Sequence, residues 1–392
     1  MSLDSPTDPA SFRREVEEWF EAHAPRKGSA DDFSAVHIVT GRSIKEYTAT
    51  AHAALATSLQ WQKKLHGAGL AGRSWPVEYG GQAAPAWQDE VIADVQGRYG
   101  VSTKVLAVAL EMLPPVLMAH GSHPQRLRYL PAVLAGEETW CQLLSEPDAG
   151  SDLGSAKTYA RAVDGGWAVT GQKVWTSGAG TADFALLIAR TNLDTPGQAG
   201  LSCLVVDMSV PGVEVRPLRQ MSGAYHFNEV FLQDVLVPSD ALIGELGGAR
   251  AVLRTMLASE RAAIGGGTSA RSASQLAQLA RTLGRHDDPN VRQLLASAYT
   301  RERVLDLTGA RMASGVAVPG GGSVTKLMYS EHARLSAEAG ASLLGAAMTA
   351  EVLPHAQPWL DRLLFAPGLR IGGGTDEVQR NAIAERGLGL PR

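Results

Sequence analysis

The sequence of 392 residues contains only two cysteines, Cys141 and Cys203, which stand far apart. They form no CxxC or other metal-ligand spacing, so we expect no metal site, and they are too few for a disulfide scaffold. No apolar run approaches the ~18 residues that a membrane-spanning helix needs. The N-terminus also lacks the apolar core of a signal peptide. We therefore expect a cytoplasmic protein with no membrane partner.

The sequence also lacks any long basic run, and its formal net charge is −4. Proteins that bind nucleic acid usually carry a basic patch or stripe, so we expect no nucleic-acid partner. The Gly-Lys dipeptide of the P-loop, HExxH and GxSxG are all absent. These absences exclude the P-loop NTPases, the common zinc proteases and the α/β-hydrolases.

Glycine, by contrast, is abundant, with 42 residues in the chain. Three glycine triplets occur, at Gly265–Gly267, Gly320–Gly322 and Gly372–Gly374. Such triplets mark places where the backbone turns sharply or approaches another group closely. The middle triplet follows Pro319, which predicts a loop between two helices.

Hydrophobic spacing divides the chain into three parts. Residues 1–139 show mainly helical spacing, and residues 247–392 return to it. Between them, at 140–246, about seven short β-rich runs alternate with turn residues, and Asp164-Gly165-Gly166 is a hairpin signal. We predict three domains with these bounds, the middle one a β-sandwich or small barrel between two helical blocks.

Three motifs stand in order along this layout: Leu144–Asp152 (LSEPDAGSD), Gly171–Gly178 (GQKVWTSG) and Ile371–Arg380 (IGGGTDEVQR). Two supporting motifs are Trp75–Gly81 (WPVEYGG) and Phe231–Pro238 (FLQDVLVP). Together they resemble the acyl-CoA dehydrogenase family over nearly the whole chain. The resemblance implies an α+β multidomain fold, with a helical N-terminal domain, a β-barrel-like middle domain and a C-terminal four-helix bundle.

The resemblance also implies an activity, a cofactor and partners. The family's enzymes are oxidoreductases that use FAD to introduce an α,β double bond into an acyl thioester. We expect an acyl-CoA or acyl carrier protein thioester as substrate and an electron-transfer flavoprotein as electron acceptor. Family members form dimers or tetramers, so we expect a homo-oligomer, with a hetero-oligomer as the alternative.

The first two motifs supply most of the cofactor residues that the resemblance implies. Ser145 is similar to a residue that contacts the isoalloxazine ring, with a backbone contact from Leu144. Trp175 would lie against the ring, and Ser177 would hydrogen-bond near N5. Gly150 and Ser151 would let the backbone approach the cofactor or the pantetheine. The alternative is that Trp175 is a strand core residue and Ser145 a turn residue.

The C-terminal third carries further FAD contacts in the family. Thr375 and Glu377 match a contacting pair, although helix capping explains these residue types equally well. A second family pattern, Arg-x-x-Phe-Gly, is altered here, because Arg281 is one position off and Leu283 replaces the phenylalanine before Gly284. The half-site for the FAD diphosphate near Gly284 is therefore in question.

The expected reaction needs a carboxylate base in a dry pocket. Many family members carry it at the position of Gly373, which has no side chain. Other branches place it directly before an arginine on the first helix after the β domain, where this chain has Glu260 and Arg261. Glu260 shares an apolar helix face with Val252, Leu253, Met256, Leu257, Ala263 and Ile264. No basic residue stands three or four positions from Glu260 on this helix to pair with it. A carboxylate on an apolar face is partly desolvated, as a general base needs, so we predict that Glu260 is the catalytic base. The alternative is a structural ion pair with an arginine from elsewhere.

Two residues are predicted to contact the substrate. Arg261 would shape the pocket, and the Gly373 N–H would stabilise the developing enolate by donating to the thioester carbonyl. The glycine triplet leaves room for a bulky acyl group, and the pattern resembles the bacterial branch that includes sterol side-chain acyl-CoA dehydrogenases. Two alternatives remain: a flavin oxidase or monooxygenase of the same fold, and a non-catalytic subunit of a hetero-oligomeric enzyme.

Overall fold

The computed structural model describes residues 8–34, 43–265, 272–349 and 355–391. The chain separates into two compact units, Met1–Met256 and Leu257–Arg392. None of the helices in the described ranges is long and apolar enough to cross a membrane. In the same ranges, no cluster of three or more His, Cys, Asp or Glu side chains is arranged to hold a metal ion.

The first unit begins with five helices: α1 (Pro9–His23), α2 (Ile44–Gly67), α3 (Trp87–Gln96), α4 (Leu113–His120) and α5 (His123–Leu134). The ends of these helices follow from local chemistry. Asp8 caps α1 by accepting hydrogen bonds from two backbone N–H groups, and Ser122 and Gln125 form a reciprocal capping box on α5. A π-helical turn at Val108–Met112 leads directly into α4.

The same unit contains one mixed sheet of eight strands: β1 (Trp140–Leu143), β2 (Tyr159–Val163), β3 (Gly166–Ser177), β4 (Phe184–Arg190), β5 (Leu201–Asp207), β6 (Val213–Leu218), β7 (Phe227–Pro238) and β8 (Leu242–Ile243). The order is β6-β7-β3-β2-β4-β5-β8, and β1 pairs in parallel with β4. The predicted hairpin joins β2 to β3, and Gly165 turns the chain with a φ of +78°.

The core of the first unit lies where the sheet meets α4, α5 and the start of α6 (Ala249–Gly265). Both cysteines are completely buried in it. Burial raises the pKa of each thiol to about 12, because the apolar surroundings disfavour the thiolate. Representative buried side chains are Leu113, Leu117, Leu143, Leu186, Leu187, Val230, Ile243, Val252 and Met256.

The second unit is helical and continues α6 with α7 (Ala273–Thr282), α8 (Pro289–Ala313), α9 (Gly321–Leu344), α10 (Ala356–Ile371) and α11 (Asp376–Ala382). Helices α7, α8 and α10 pack around α9 as the expected bundle. Its core contains Leu276, Leu279, Val291, Ala298, Leu343, Leu344 and Trp359.

The three glycine triplets have different roles in the structure. Gly265 ends α6, and the other two glycines of that triplet lie outside the described residues. The loop predicted at the middle triplet is only partly correct, because Gly320 caps α9 and the next two glycines form its first turn. In the third triplet, Gly373 and Gly374 have φ values of +67° and +90° and join α10 to α11. This left-handed backbone favours glycine over any other residue.

Candidate active site

Trp175 stands at an irregularity in the longest pair of strands. The β3–β7 register shifts between the pairs Lys173–Val230 and Thr176–Asn228, so β3 has one extra residue there. Trp175 adopts a φ of +62°, and its side chain is 57% exposed. A bulge of this kind redirects a side chain. The indole therefore projects from the sheet with Phe227 edge-on at 5.7 Å between ring centroids, and Trp175 is not a core residue.

Ser177 lies two residues after Trp175 and ends β3. Its hydroxyl lies 3.4 Å from Nε2 of His226, the residue just before β7. Gly178 then turns the chain with a φ of +71°, and a Cβ placed there would meet no atom within 4 Å. The hydroxyl of Ser177 and the exposed indole of Trp175 thus lie at one end of β3, beside open space.

The loop after β1 carries Leu144 and Ser145, and it is tied to β3 through its carbonyl groups. The Leu144 carbonyl accepts a hydrogen bond from Nζ of Lys173 at 3.0 Å, and the Ser145 carbonyl accepts from the Val174 N–H at 2.9 Å. Trans peptide geometry turns the Ser145 N–H away from the Leu144 carbonyl. Neither this N–H nor the Ser145 hydroxyl hydrogen-bonds to another described residue, so both are able to serve a ligand.

A buried ion pair holds this loop. Lys173 is 0% exposed and Glu146 7%, and their Nζ and Oε1 atoms lie 2.8 Å apart. The Glu146 carboxylate also accepts from the backbone N–H groups of Lys157 at 2.6 Å and Thr158 at 2.9 Å. Burial alone raises the pKa of Glu146, but Lys173 and these donors outweigh it and hold the pKa below its usual value.

Gly150 and Ser151 lie on the exposed side of the same loop. A Cβ on Gly150 would meet no atom within 4 Å, and Ser151 is exposed. The backbone is therefore accessible here, as the approach of a ligand requires.

Glu260 lies on α6, in the second unit. It is half-buried and follows the buried Met256 by four residues, which places both on one helix face. Arg261 is also half-buried. Burial and the nearby charge of Arg386 lower the pKa of Arg261, while Glu260 opposes that shift. A carboxylate and a guanidinium thus share a partly desolvated position at this end of α6.

The turn at Gly372–Gly374 carries the remaining predicted residues. Thr375 caps α11 by accepting a hydrogen bond from the Val378 N–H at 3.2 Å, which is the capping role that its residue type suggests. The side chain of Glu377 is exposed and lies 3.6 Å from Arg380. These contacts leave the predicted FAD role of both residues untested.

Asp376 anchors this turn and received no role in the sequence prediction. Its buried carboxylate accepts from Ser330 Oγ at 2.7 Å, Lys326 Nζ at 3.2 Å and Arg370 Nε at 2.7 Å. Burial raises the pKa of Asp376, but these three donors outweigh it and the net pKa is lowered. The sequence does contain one signal for this role, because a charged residue stands two positions after three glycines. A glycine turn needs a neighbouring side chain to hold it in place, and Asp376 could have been predicted to do so.

Three family models match the chain in order. They describe the acyl-CoA dehydrogenase N-terminal domain at residues 29–137, the middle domain at 141–235 and the C-terminal domain at 247–388. The chain belongs to the acyl-CoA dehydrogenase family, whose members are oxidoreductases that dehydrogenate acyl-CoA and use FAD.

Individual relatives agree with this assignment. Acyl-CoA dehydrogenase IpdE1 of Mycobacterium tuberculosis is 34% identical, and the match covers 98% of each chain. FadE34 of the same species is 37% identical over 84% of this chain and 46% of its own length. Among solved structures, the Tcur3481-Tcur3483 steroid ACAD has 27% identity and a TM-score of 0.78, with full coverage of both chains. The ChsE4-ChsE5 complex from M. tuberculosis has 25% identity and a TM-score of 0.75, also with full coverage of both chains.

Proposed function

We propose that this protein catalyses FAD-dependent α,β-dehydrogenation of an acyl-CoA thioester with Glu260 as the base. One observation carries the proposal. The position where many family members hold their base is Gly373, in a left-handed turn, whereas a half-buried carboxylate directly before an arginine is present on α6. A glutamate at Gly373 would be strained by about 1–2 kcal/mol in that backbone conformation.

Each residue has a definite role in this reaction. A carboxylate oxygen of Glu260 takes the proton from the α-carbon, and the electrons of that C–H bond form the new double bond as hydride leaves the β-carbon. The Gly373 N–H donates to the thioester carbonyl, which lowers the energy of the enolate-like charge. Arg261 shapes the pocket beside the base. FAD, when bound, would supply the hydride acceptor for the β-carbon.

The residues of the first unit fit a flavin. Trp175 offers a flat, exposed aromatic surface, and Ser177 offers a hydroxyl at the same end of β3. Ser145 has a backbone N–H and a hydroxyl that are not used by other described residues. We propose that these three residues and Leu144 hold the ring system, with Gly150 and Ser151 close to the cofactor or pantetheine, and with Thr375 and Glu377 as further FAD contacts.

The substrate that we propose carries a bulky, steroid-like acyl group on CoA. The support is the missing side chain at Gly373 and the likeness to chains named steroid ACAD. An acyl carrier protein thioester is the alternative carrier, and an electron-transfer flavoprotein is the proposed electron acceptor.

The second candidate function is a subunit that shares its flavin sites with a different chain. The segment that follows Gly284 favours it. Arg285, directly after Gly284, donates to the Ser342 and Leu343 carbonyls at 3.3 and 3.2 Å and pairs with Asp288 at 3.1 Å. Its guanidinium is thus engaged within the bundle, and Arg281, the arginine of the altered family pattern, is one position off. In addition, the names of two of the similar structures each join two different chains, Tcur3481-Tcur3483 and ChsE4-ChsE5. For the first candidate, an enzyme that is catalytic without a different chain, we propose a homodimer or homotetramer.

The visible spectrum of the purified protein is the first test. We expect a flavin band at ~450 nm, a property of the cofactor, and anaerobic bleaching by some members of an acyl-CoA panel. The panel should contain straight-chain, branched and steroid-ring acyl groups, each also presented on an acyl carrier protein. A chain that takes up no FAD alone but does so with a second subunit would support the second candidate and contradict the first.

Replacing Trp175 by glycine should change stability and FAD affinity in opposite directions. The exposed indole adds little burial, and glycine relieves a left-handed backbone that costs about 1–2 kcal/mol, so the apoprotein should unfold at equal or higher urea concentration. Loss of the aromatic surface should weaken FAD binding by about 2- to 10-fold, since ring stacking contributes about 0.5–1.5 kcal/mol.

Leu236→Gly is the matched control, because Leu236 is also exposed but lies in the regular β3–β7 ladder. It should lose about 0.5–1 kcal/mol of stability and keep its FAD affinity. Unchanged FAD affinity in Trp175→Gly would remove Trp175 from the flavin site.

A further inference from the structure

The turn that carries the proposed enolate donor consists of three successive glycines. Glycine loses more backbone freedom on folding than any other residue, so Gly372–Gly374 is intrinsically mobile in an unfolded chain. A hydrogen-bond donor contributes to catalysis only if it is already held in the productive geometry. The side chains that hold this turn therefore bear directly on the reaction.

Gln379 contacts the turn directly. This side chain on α11 is 1% exposed, and its Nε2 donates to the Gly373 carbonyl at 2.8 Å and the Gly374 carbonyl at 3.2 Å. A Cβ placed on Gly374 would stand 2.7 Å from the same Nε2, so the amide lies tightly against the backbone. Two adjacent peptide groups are fixed by one side chain.

The bond from Gln379 to the Gly373 carbonyl determines where the Gly374 N–H points, because both belong to one peptide group. In a trans peptide the N–H is opposite the carbonyl, so the Gly374 N–H is turned away from Gln379. The N–H groups of Gly373 and Gly374 bond to none of the residues in the described ranges. Gln379 thus binds the carbonyl of the Gly373–Gly374 peptide group and leaves the Gly374 N–H on its opposite side available to a ligand.

The two helices that flank the turn are held by a second set of contacts. The Asp376 carboxylate, at the start of α11, binds Arg370 from the last turn of α10, and both contact Lys326 on α9. The ends of the glycine segment are therefore fixed by an ionic cluster, while Gln379 fixes the peptides between them.

We propose that Gln379 is a positioning residue that orients the Gly374 N–H towards the thioester carbonyl, beside the Gly373 N–H. The inference rests on the proposed function. It adds a second donor, Gly374, and names the side chain that orients it. Because glycine at position 373 provides no side chain of its own to fix the turn, the amide of Gln379 supplies this rigidity from the carbonyl side.

Gln379→Met tests the proposal, since methionine has nearly the same length but donates no hydrogen bond. We expect kcat to fall by roughly 10- to 100-fold, less than the 10²- to 10³-fold that follows loss of an oxyanion donor outright. KM should change little, because the lost interaction strengthens in the transition state. In the apoprotein, amide hydrogen exchange of a peptide spanning residues 371–380 should become faster.

Gln62→Met is the matched control. Gln62 is 3% exposed in the first unit, and its Nε2 donates to the Leu134 carbonyl at 2.7 Å, so the variant also loses a buried amide-to-carbonyl hydrogen bond, but away from the turn. Both variants should unfold at a lower urea concentration than the wild-type protein, because each leaves a buried carbonyl without its donor. Only Gln379→Met should lose kcat and exchange faster at residues 371–380.

Failure of the proposed function and failure of the Gln379 role would give different results in these experiments. Wild-type protein without dehydrogenation of any acyl-CoA in the panel would contradict the proposed function. Normal wild-type turnover combined with a kcat for Gln379→Met no lower than that of Gln62→Met would overturn the positioning role alone. Unchanged amide exchange at residues 371–380 in Gln379→Met would show that Gln379 does not hold the turn, whether or not the enzyme is active.

Discussion

Glu260→Gln should fold and retain FAD, yet lose dehydrogenation by about 10²- to 10⁴-fold, the range expected when a general base is removed. The amide has nearly the same shape as the carboxylate but cannot accept the α-proton. The loss should appear in kcat and in kcat/KM alike, because proton abstraction contributes only in the transition state. Single-turnover flavin bleaching with the best acyl-CoA of the panel measures the step directly.

Glu338→Gln is the control for this change. Glu338 is a half-exposed glutamate on α9 that pairs with Arg334 one helical turn away, so its neutralisation should leave turnover unchanged. Near-normal bleaching in Glu260→Gln would remove Glu260 as the base and return it to the alternative role of a structural ion pair.

Lys173→Met should cost about 3–5 kcal/mol in the free energy of unfolding at neutral pH, the usual cost of leaving a buried charge without its partner. The Glu146 carboxylate keeps its two backbone donors but loses the ammonium group 2.8 Å away. The Leu144 carbonyl also loses its donor, so the loop that carries Ser145 should loosen and FAD should be retained less well. Urea unfolding and the flavin content of the purified variant measure the two effects.

The stability lost in Lys173→Met should depend on pH. The pKa of Glu146 is lowered in the folded wild-type protein, so its contribution is complete above the ordinary value of about 4.5 and is lost as the pH falls through the lowered pKa. The difference in unfolding free energy between wild type and variant should therefore narrow in acid. A difference that is independent of pH would contradict an electrostatic origin.

Lys157→Met is the matched control for this pair. Lys157 forms an exposed ion pair with Asp148 at 3.0 Å in the same loop, and its backbone N–H to Glu146 is not altered by the substitution. The cost should stay within about 1 kcal/mol, as is usual for a surface pair.

Local sequence signals predicted the elements of this fold well. The hairpin between β2 and β3 follows from alternating residues around Asp164-Gly165-Gly166, and the helical period returned where α6 begins. The acyl-CoA dehydrogenase resemblance was confirmed. The middle glycine triplet was predicted less well, because a helix that begins on glycines carries no capping side chain to announce it.

The missed features depend on contacts that appear only in the folded chain. The bulge that exposes Trp175 arises from the register between β3 and β7, which neither strand specifies by itself. The pair Glu146–Lys173 joins residues 27 positions apart. Gln379 stands inside a motif that was recognised, but its role emerges only from the carbonyl groups that the folded turn presents to it.

The burial of both native thiols has a practical consequence. With pKa values raised to about 12, Cys141 and Cys203 should not react with maleimide in the native protein. A cysteine introduced at an exposed position such as Leu307 on α8 would then be the single labelling site, without removal of either native cysteine. Fluorophore-labelled subunits prepared in this way would report subunit exchange, and mixing them with a candidate partner chain would distinguish homo-oligomers from hetero-oligomers.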